Sequence, residues 1–554
     1  MQNRTLSLLL AFCMFSTGAS GLVNEYVLAT ITTYILGNSI EQFSIVIASM
    51  MLMMGVSGFV QQKISDDNLV GKFLAIEILM ALLGGFAPLI IYAAFAYFEA
   101  GFYLVHYFFV LAIGFLIGFE IPIVMRIIDQ QKVTLKKNLT LVYAMDYVGA
   151  FIGAMIWVKV LLINFPLTQI SFIVAGFNFA IALITILYFV SQGAVRRPLA
   201  AVLVSGVTAV SLAIGFGQNQ ELSSLLEQRF YDDPIVHKET SRYQHLVLTQ
   251  SKKDNDIRLY INGNTQFSSI DEQRYHEFLV HPAMALNTGG KHVLILGGGD
   301  GLALREVLKY PRVESVTLID LDPAMVKLAA THPLMRQLNQ EAFQDARLIV
   351  EKPGGLQAVD LRDVYLTNES DKFAEKHWAG VINVINVDAD SFLDHQQSMR
   401  WDTVIIDFPD PGSVELAKLY SRQFYHKLRQ HLAPNATVAI QSTSPFHAKE
   451  AYLAIGATLR ASGFEILPFR QNIPSFGDWG FHLAWSDDAP ARQARKSIKE
   501  LEQFEVDTAF ITPDLLAASL VFGKGELTPD VECINTVLNP CLVANYTKHS
   551  WKVE

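Results

Sequence analysis

The chain has 554 residues, of which 51% are hydrophobic and 17% are charged, and its formal net charge at pH 7 is −10. Because soluble globular proteins carry about 25% charged residues, this composition excludes a disordered chain, a basic nucleic-acid-binding protein and an ordinary cytosolic enzyme. Three cysteines in the whole chain exclude a disulfide-dense scaffold and a metal cluster built from cysteines.

The charge is distributed unevenly along the chain. Residues 1–220 contain 10 Lys and Arg against 9 Asp and Glu, whereas residues 221–554 contain 33 against 44. The first part is too apolar for water, and we expect a multi-pass transmembrane helical domain that has the lipid bilayer as its partner. The acidic second part favours cationic small molecules over phosphates, and we expect no nucleic-acid partner.

Seven apolar stretches in the first part are each long enough for the roughly 20 residues of a membrane-spanning helix. They lie near 6–35, 42–62, 72–97, 103–127, 140–162, 168–190 and 198–216. In a seven-span arrangement the loop Lys and Arg residues fall on one side, which the positive-inside rule assigns to the cytoplasm. The sequence therefore predicts a protein of the cell (inner) membrane whose C-terminal part faces the periplasm.

Four acidic residues lie within these spans. They are Glu25, Glu77, Glu120 and Asp146. Since an ionised group costs about 3 kcal/mol or more in hydrocarbon, we expect these side chains to face the interior of a helix bundle. Two interpretations stay open, namely protonated carboxyls that fix helix packing, and an acidic path or pocket for a cation such as an organic amine.

Residues 221–288 are predicted to form a small β-rich region that gates the substrate. Tyr243–Thr249 and Ile257–Asn262 are short runs of β-forming residues, and the second meets a turn signal at Asn262-Gly263-Asn264. This pattern predicts a β-hairpin. A helix is predicted next, from Asp271 to Leu286.

Residues 289–490 are predicted to form a Rossmann-like catalytic domain. A strand at His292–Leu296 precedes the turn Gly297-Gly-Gly-Asp-Gly301, a helix from Leu302, and a strand at Ser315–Ile319 that meets Asp320. In this nucleotide-binding unit, glycines such as Gly297 and Gly299 let the backbone approach the ligand, and the acid accepts both ribose hydroxyls. Asp300 would repel a pyrophosphate, so an adenosine that bears a cationic sulfonium fits better than NAD.

Two later predicted strands also end in acidic residues. They are Val381–Val387, before Asp388 and Ala389, and Trp401–Ile406, before Asp407 and Asp410. Ligands of open α/β sheets bind at the carboxyl ends of the strands, so we expect these acids to converge with those of the first two strands.

Two segments carry no interpretable motif. Residues 351–386 are predicted to be an insertion, with a helix-like run at Glu369–His377, and residues 491–554 form a C-terminal extension with no assigned catalytic role. In the extension, Cys533 and Cys541 either form a disulfide or remain free thiols.

The region from about 240 to 485 resembles the spermidine synthases, or polyamine aminopropyltransferases. The matching motifs are Tyr243-Gln244, Asn262-Gly263 with Gln266, Asp271-Glu-Gln-Arg-Tyr-His-Glu277, Leu296-Gly-Gly-Gly-Asp-Gly301, Asp320-Leu-Asp322, Asp388-Ala389, Asp407-Phe-Pro-Asp-Pro411, Gln441-Ser442 and Ile473-Pro-Ser-Phe-Gly-Asp-Trp-Gly-Phe481. The seven-span region, with Glu120-Ile-Pro122 and Asp146-Tyr-Val-Gly149, resembles the bacterial membrane-bound branch of this family.

The resemblance implies an α/β Rossmann-like domain of the class I methyltransferase type. It also implies that the protein forms a homo-oligomer, namely a dimer. The implied reaction moves the aminopropyl group of decarboxylated S-adenosylmethionine to a diamine, converts putrescine to spermidine, and releases 5′-methylthioadenosine. No metal is implied.

The motifs also assign roles to residues. Asp407 matches the family's proton acceptor. The residues expected on the cosubstrate side are Gln244, Gln266, Gly297, Gly299, Asp300, Asp320, Asp388 and Ala389. Those expected on the amine side are Tyr275, His276, Asp300, Asp410 and Gln441.

The sequence departs from the family pattern at two places besides the insertion. Gly412-Ser413-Val414 replaces the usual Gly-Pro of the catalytic loop, and Phe476 stands where many members have Tyr. Two other functions stay open, namely a methyltransferase that uses S-adenosylmethionine itself, and a polyamine-binding transporter or sensor with an enzyme-like domain.

Overall fold

The computed structural model of the protein describes residues 2–36, 39–98, 101–130, 135–345, 382–396, 399–530 and 532–549. The chain divides into two compact units, Met1–Pro234 and Ile235–Glu554. Most of the predicted insertion, including Glu369–His377, lies outside the described residues.

The first unit is helical. Its helices are α1 (Gln2–Leu36), α2 (Ser39–Val60), α3 (Leu69–Tyr97), α4 (Phe102–Gln130), α5 (Leu135–Ile156), which continues through a π-helical turn (Trp157–Leu161) into α6 (Leu162–Asn164), α7 (Leu167–Ser191) and α8 (Pro198–Glu227). In the described part of this unit, seven helical stretches are long and apolar enough to cross a membrane, in the number and order that the sequence predicts. Helix α8 extends beyond 216, the predicted end of the last membrane span, since the polar residues after Gly217 remain helical up to Glu227.

The acidic residues of the apolar helices lie in the interior of this unit. Glu25, Glu77 and Glu120 are buried, and Asp146 is half-buried against Gly18 of α1. Both carboxyl oxygens of Glu120 lie in the bundle without a hydrogen-bond partner among the described residues. This placement agrees with the expectation that ionisable groups in such helices turn away from lipid.

The second unit begins with a four-stranded antiparallel sheet, in the segment for which the sequence predicts a hairpin. Its strands, paired in chain order, are β1 (Ile235–Thr240), β2 (His245–Gln250), β3 (Ile257–Ile261) and β4 (Asn264–Ser268). The turn between β3 and β4 uses Asn262 and Gly263, both with positive φ, which is the conformation that an Asn-Gly turn provides.

The rest of the second unit is built on a seven-stranded mixed sheet. The strands are β5 (His292–Gly297), β6 (Ser315–Asp320), β7 (Ile382–Asn386), β8 (Trp401–Asp407), β9 (Leu432–Gln441), β10 (Glu465–Ile473) and β11 (Gly477–Trp485), in the spatial order β10-β11-β9-β8-β5-β6-β7. The five neighbouring strands β7, β6, β5, β8 and β9 are parallel to one another. Strand β11 then pairs antiparallel with β9, and β10 pairs antiparallel with β11. This is the predicted Rossmann-like arrangement, in which the chain starts at a central strand and builds outwards on both sides.

Helices cover both faces of this sheet. They are α9 (Glu272–Leu286), α10 (Leu302–Leu308), α11 (Pro323–Thr331), α12 (Pro333–Leu338), α13 (Ala389–His395), α14 (Val414–Lys418), α15 (Arg422–Gln430), α16 (Lys449–Ala461), α17 (Asp488–Lys499), α18 (Pro513–Ser519) and α19 (Cys541–His549). Two buried apolar clusters lie against the sheet, and the central strands β5 and β8 contribute to both. Near-continuous apolar strands such as Val293–Leu296 follow from this burial on both faces.

The C-terminal extension packs against helices α9 and α16 of the second unit. Cys533 and Cys541 form a disulfide, which resolves the alternative left open by the sequence. Nearer the start of the extension, the backbone N–H groups of Ala509, Phe510 and Ile511 donate hydrogen bonds of 2.5–2.8 Å to the buried Glu277 on α9. The extension is therefore fixed at two places, by a carboxylate and by a covalent bond.

Candidate active site

The candidate site lies where the strand order of the large sheet reverses. Strand β5 pairs with β6 on one side and with β8 on the other, and Gly297 is the register partner of Asp407. Crevices at such a switch point, outside the carboxyl ends of the strands, are where open α/β sheets bind ligands.

The glycines of the turn after β5 are required by two close approaches. A Cβ atom on Gly297, whose φ is +82°, would lie 2.2 Å from the carbonyl oxygen of Asp407. A Cβ on Gly299 would lie 2.6 Å from the Asp320 carboxyl, which instead accepts a 2.9 Å hydrogen bond from the Gly299 N–H. The turn thus brings the carboxyl ends of β5, β6 and β8 together.

Asp407, the last residue of β8, contacts two side chains of α9. The hydroxyl of Tyr275 donates a 2.6 Å hydrogen bond to Asp407 Oδ1, and His276 Nε2 lies 4.0 Å from Asp407 Oδ2. His276, Asp300 and Asp407 each offer a ligand atom, and these atoms lie within 4.8 Å of one another. Three predicted residues from distant parts of the sequence are therefore brought to one point.

A buried ion network holds His276 in place. Its Nδ1 lies 2.9 Å from Oε2 of Glu272, one helical turn earlier, and Glu272 receives two hydrogen bonds of 2.8 and 2.9 Å from Arg305. Burial lowers the pKa of His276, but the hydrogen bond and charge of Glu272, with the carboxylates of Asp300 and Asp407, raise it to about 9. At neutral pH the ring is therefore an imidazolium.

Burial raises the pKa of the carboxyl groups at this site above that of an exposed aspartic acid. It raises the pKa of Asp407 to about 6; the charge of Asp300 adds to this shift, whereas His276 and the Tyr275 hydroxyl oppose it. Burial also raises the pKa of Asp320 to about 6 and raises that of Asp300. Carboxyls with a pKa close to neutral are suited to accepting and releasing protons at physiological pH.

Asp410 lies in the loop after β8, among hydrogen-bond donors. Its Oδ1 accepts from Gln441 Nε2 at 3.3 Å, and its Oδ2 accepts from the hydroxyls of Thr443 at 3.1 Å and Tyr546 at 2.9 Å. Burial raises the pKa of Asp410 to about 6, while these three donors pull it down.

The end of β9 and the loop after it present two of the partners of Asp410. Gln441 also donates to the carbonyl oxygen of Phe408 at 2.5 Å and pairs with the Tyr420 hydroxyl at 2.7 Å. Thr443 is fully buried and has φ +58°, a conformation that a β-branched residue adopts only under constraint. Such strained residues cluster at ligand sites, where neighbouring contacts hold them.

The remaining predicted residues lie at the start of β2, on β4 and at the start of α13. Gln244 follows the turn before β2 and lies beside Asp322, which accepts a 2.6 Å hydrogen bond from Ser241. Gln266 is half-buried on β4. Asp388 caps α13 by accepting a 2.8 Å hydrogen bond from the Ser391 N–H, and Ala389 is buried.

Among the residues that the structure describes, two groups could offer ligands to a cation. One is the group His276, Asp300 and Asp407. The other, Glu277, His281 and Glu306, is already engaged: His281 Nε2 lies 2.9 Å from Glu306, and Glu277 accepts the three backbone N–H groups of the extension. Only the first group borders the crevice of the sheet.

Several residues of the site escaped the sequence analysis. They are Glu272, Arg305, Tyr420, Thr443 and Tyr546. Glu272 lies inside one of the matching motifs, and Arg305 follows another, so the motifs mark the right region. They do not indicate that the two side chains form an ion pair. Tyr546 is 136 residues from Asp410 in sequence, and no local pattern connects them.

Comparison with known proteins decides the family. A sequence model of the spermine/spermidine synthase domain matches residues 272–360 and 357–496. Polyamine aminopropyltransferase 2 of Ralstonia nicotianae is 36% identical over 545 residues, which cover 98% of this chain and 98% of that protein. The chain belongs to the polyamine aminopropyltransferase family.

Other polyamine aminopropyltransferases match over a similar length. That of Oceanobacillus iheyensis is 36% identical over 538 residues, which cover 96% of this chain and 95% of that protein. A crystal structure of a spermidine synthase in complex with the transition state analogue AdoDATO superimposes with a TM-score of 0.42 at 20% identity and covers 53% of this chain and 88% of that one. The predicted family and the prediction of an enzyme are confirmed by the full-length relatives.

Proposed function

We propose that this protein is an integral-membrane aminopropyltransferase that transfers the aminopropyl group of decarboxylated S-adenosylmethionine to a diamine. Putrescine is the proposed acceptor, and spermidine and 5′-methylthioadenosine are the products. The observation that carries the proposal is the position of Asp407 at the switch point of the sheet, hydrogen-bonded to Tyr275 and close to His276 and Asp300.

The charge of the crevice supports the decarboxylated cosubstrate. Asp300 and Asp407 lie within one group of neighbouring ligand atoms, and this group suits the ammonium of an aminopropyl chain. Intact S-adenosylmethionine carries a carboxylate on the same chain, which these acids would repel. Asp320, at the end of β6, is proposed to accept hydrogen bonds from the ribose hydroxyls.

The proposed reaction is a displacement at carbon. The free amine nitrogen of the acceptor attacks the methylene carbon bonded to the sulfonium, the carbon–sulfur bond breaks, and its electron pair remains on sulfur as a neutral thioether. The nitrogen becomes cationic and loses a proton to Asp407, whose pKa near 6 leaves it ionised at neutral pH. Holding nitrogen, carbon and sulfur in line supplies much of the rate enhancement.

Tyr275 and His276 prepare Asp407 for this role. Because the Tyr275 hydroxyl occupies Oδ1, the second carboxylate oxygen, Oδ2, is left for the attacking nitrogen. The charge of His276 opposes the rise that burial causes in the pKa of Asp407 and Asp300, and Glu272 holds the proton on the ring. Asp410 is proposed to hold the distal ammonium of the diamine.

The proposed location is the cell membrane, with the second unit on the outer face. Seven apolar helices and the Lys and Arg bias of their loops support this topology. The Cys533–Cys541 disulfide also supports it, because disulfides persist in oxidising compartments. Protease added to intact spheroplasts should cleave the second unit, and protection until lysis would reverse the assignment.

The function is tested by product analysis. Purified full-length protein in detergent is given either decarboxylated or intact S-adenosylmethionine, together with putrescine, cadaverine or spermidine. The proposal expects 5′-methylthioadenosine release that depends on both the decarboxylated cosubstrate and a diamine. Release of S-adenosylhomocysteine would instead show a methyltransferase, and tight amine binding without turnover would show a receptor.

A further inference from the structure

The C-terminal extension is tied to the helices that surround the catalytic loop. Asn535 is fully buried; its N–H donates to Thr458 Oγ1 at 2.9 Å and its side-chain amide donates to the Ala417 carbonyl at 2.7 Å. Its own carbonyl accepts from the Arg422 N–H at 2.9 Å. The disulfide from Cys533 then fixes the first residue of α19, Cys541.

Helix α19 lies against α16 and reaches the site from outside the large sheet. Leu542 is fully buried, and Asn545 donates a 3.4 Å hydrogen bond to the carbonyl of Glu450. The next residue, Tyr546, donates its hydroxyl to Asp410 Oδ2 at 2.9 Å. Its ring lies over Gly412, where a Cβ atom would be 3.5 Å from the ring edge.

The effect on Asp410 follows from counting acceptor positions. A carboxylate has about four lone-pair positions, and the hydroxyls of Thr443 and Tyr546 occupy two of them on Asp410 Oδ2. Gln441 makes a shared, three-centre contact with Oδ1 at 3.3 Å, because its amide has two N–H hydrogens and makes shorter bonds to Phe408 and Tyr420. Thr443 comes from the loop after β9, whereas Tyr546 comes from the extension. Together these two hydroxyls fix the orientation of the carboxylate and leave Oδ1 accessible to a further donor such as an ammonium group.

We propose that Tyr546 is a positioning residue of the amine-acceptor site, which orients Asp410 to receive the distal ammonium of a diamine, and that the Cys533–Cys541 disulfide holds it there. This inference rests on the proposed function and deepens it. It makes the extension part of the acceptor site, whereas the cosubstrate side of the crevice is built by the sheet.

The test separates binding of the two substrates in Tyr546→Phe, which removes one hydroxyl. A hydrogen bond to a charged group contributes about 1.5–3 kcal/mol, and Tyr546 acts through Asp410, so KM for putrescine should rise about tenfold. The KM for decarboxylated S-adenosylmethionine should stay within about twofold and kcat within about threefold. Calorimetry with putrescine and 5′-methylthioadenosine provides a readout without turnover and should show the same loss of affinity.

Two further variants complete the experiment. Thr547 is the exposed neighbour of Tyr546 on α19, and its hydroxyl donates to the carbonyl of Val543 in the same helix. Thr547→Val should therefore leave both KM values unchanged. The double variant Cys533→Ser with Cys541→Ser should reproduce the selective rise in putrescine KM, and a wild-type value there would overturn the role of the disulfide.

The outcomes are distinct. An unchanged putrescine KM in Tyr546→Phe, or equal rises in both KM values, would overturn the assignment of Tyr546. Wild-type protein that releases no 5′-methylthioadenosine with any diamine would overturn the proposed function and this inference with it.

Discussion

The hydroxyl of Tyr275 donates a 2.6 Å hydrogen bond to the carboxylate of Asp407, across 132 residues of sequence. Tyr275 lies on α9, before the first strand of the large sheet, and Asp407 ends the fourth strand of that sheet along the chain. The pairing leaves one carboxylate oxygen for substrate, and it links the α9 motif to the proposed proton acceptor.

Removing that hydroxyl tests its contribution. In Tyr275→Phe we expect kcat to fall about 10- to 100-fold, because Asp407 loses a donor worth about 1.5–3 kcal/mol and can rotate away from the attacking nitrogen. Stopped assays of 5′-methylthioadenosine release measure the effect. Tyr425→Phe, on a buried tyrosine of α15 whose hydroxyl has no hydrogen-bond partner among the described residues, is the matched control and should keep wild-type kcat.

The pH dependence of turnover should report the raised carboxyl pKa values. Asp407 and Asp410 both have a pKa of about 6, so each is ionised above that pH and becomes protonated, and unable to accept a proton or hold an ammonium, below it. We expect kcat/KM, calculated on the concentration of putrescine that carries one free amine, to fall as pH decreases through about 6, with a limiting slope near 2. In Asp410→Asn the slope should approach 1. A midpoint near 4, the ordinary range of an aspartic acid, would contradict the burial of these groups.

The buried network around His276 predicts a stability difference. Glu272→Gln leaves Arg305 with Glu306 alone, and breaking a buried ion pair costs on the order of 3 kcal/mol. The midpoint of thermal unfolding should fall. Without Glu272, the hydrogen bond and the charge that most oppose burial are lost, so the pKa of His276 should fall and the ring should lose part of its charge at pH 7.

A double variant separates these two effects. Glu272→Gln with Arg305→Met removes the uncompensated charge, so part of the lost stability should return. Turnover should not return, because His276 still lacks the carboxylate that keeps it protonated. Recovery of turnover in the double variant would show that Glu272 acts only through stability.

Glu277 should anchor the C-terminal extension at a point that lies away from the crevice. In Glu277→Gln the side chain keeps one acceptor oxygen for three backbone donors, so we expect local destabilisation of about 2–3 kcal/mol. Hydrogen exchange should speed up at the amides of Ala509, Phe510 and Ile511. Glu500→Gln, on an exposed residue, is the control, and equal exchange in the two variants would exclude this anchoring role.

Local patterns were sufficient for much of the fold. The strand, glycine turn, helix and acid of residues 292–320 appear where the sequence predicts them, because buried strands and tight turns are specified by nearby residues. The seven apolar helices follow from length and composition in the same way. The acids at the strand ends could be placed together because parallel strands end at one edge.

Contacts made by tertiary packing could not be predicted in this way. Arg305 has no local signal for a pairing with Glu272, since both side chains must first be buried by the packing of α9 against α10. Tyr546 reaches Asp410 only through the path of the extension, and the disulfide was one of two open alternatives. Thr443 adopts its positive φ because its neighbours hold it, against the preference of its type.

Asp407→Asn tests the proposed chemistry most directly. The substitution keeps the size of the side chain and removes the proton acceptor, so release of 5′-methylthioadenosine from decarboxylated S-adenosylmethionine and putrescine should fall at least about 100-fold. Binding of 5′-methylthioadenosine should stay within a few-fold of wild type, because Asp320 and the glycine turn are untouched. Turnover at the wild-type rate in Asp407→Asn would contradict the assignment of Asp407 as the proton acceptor.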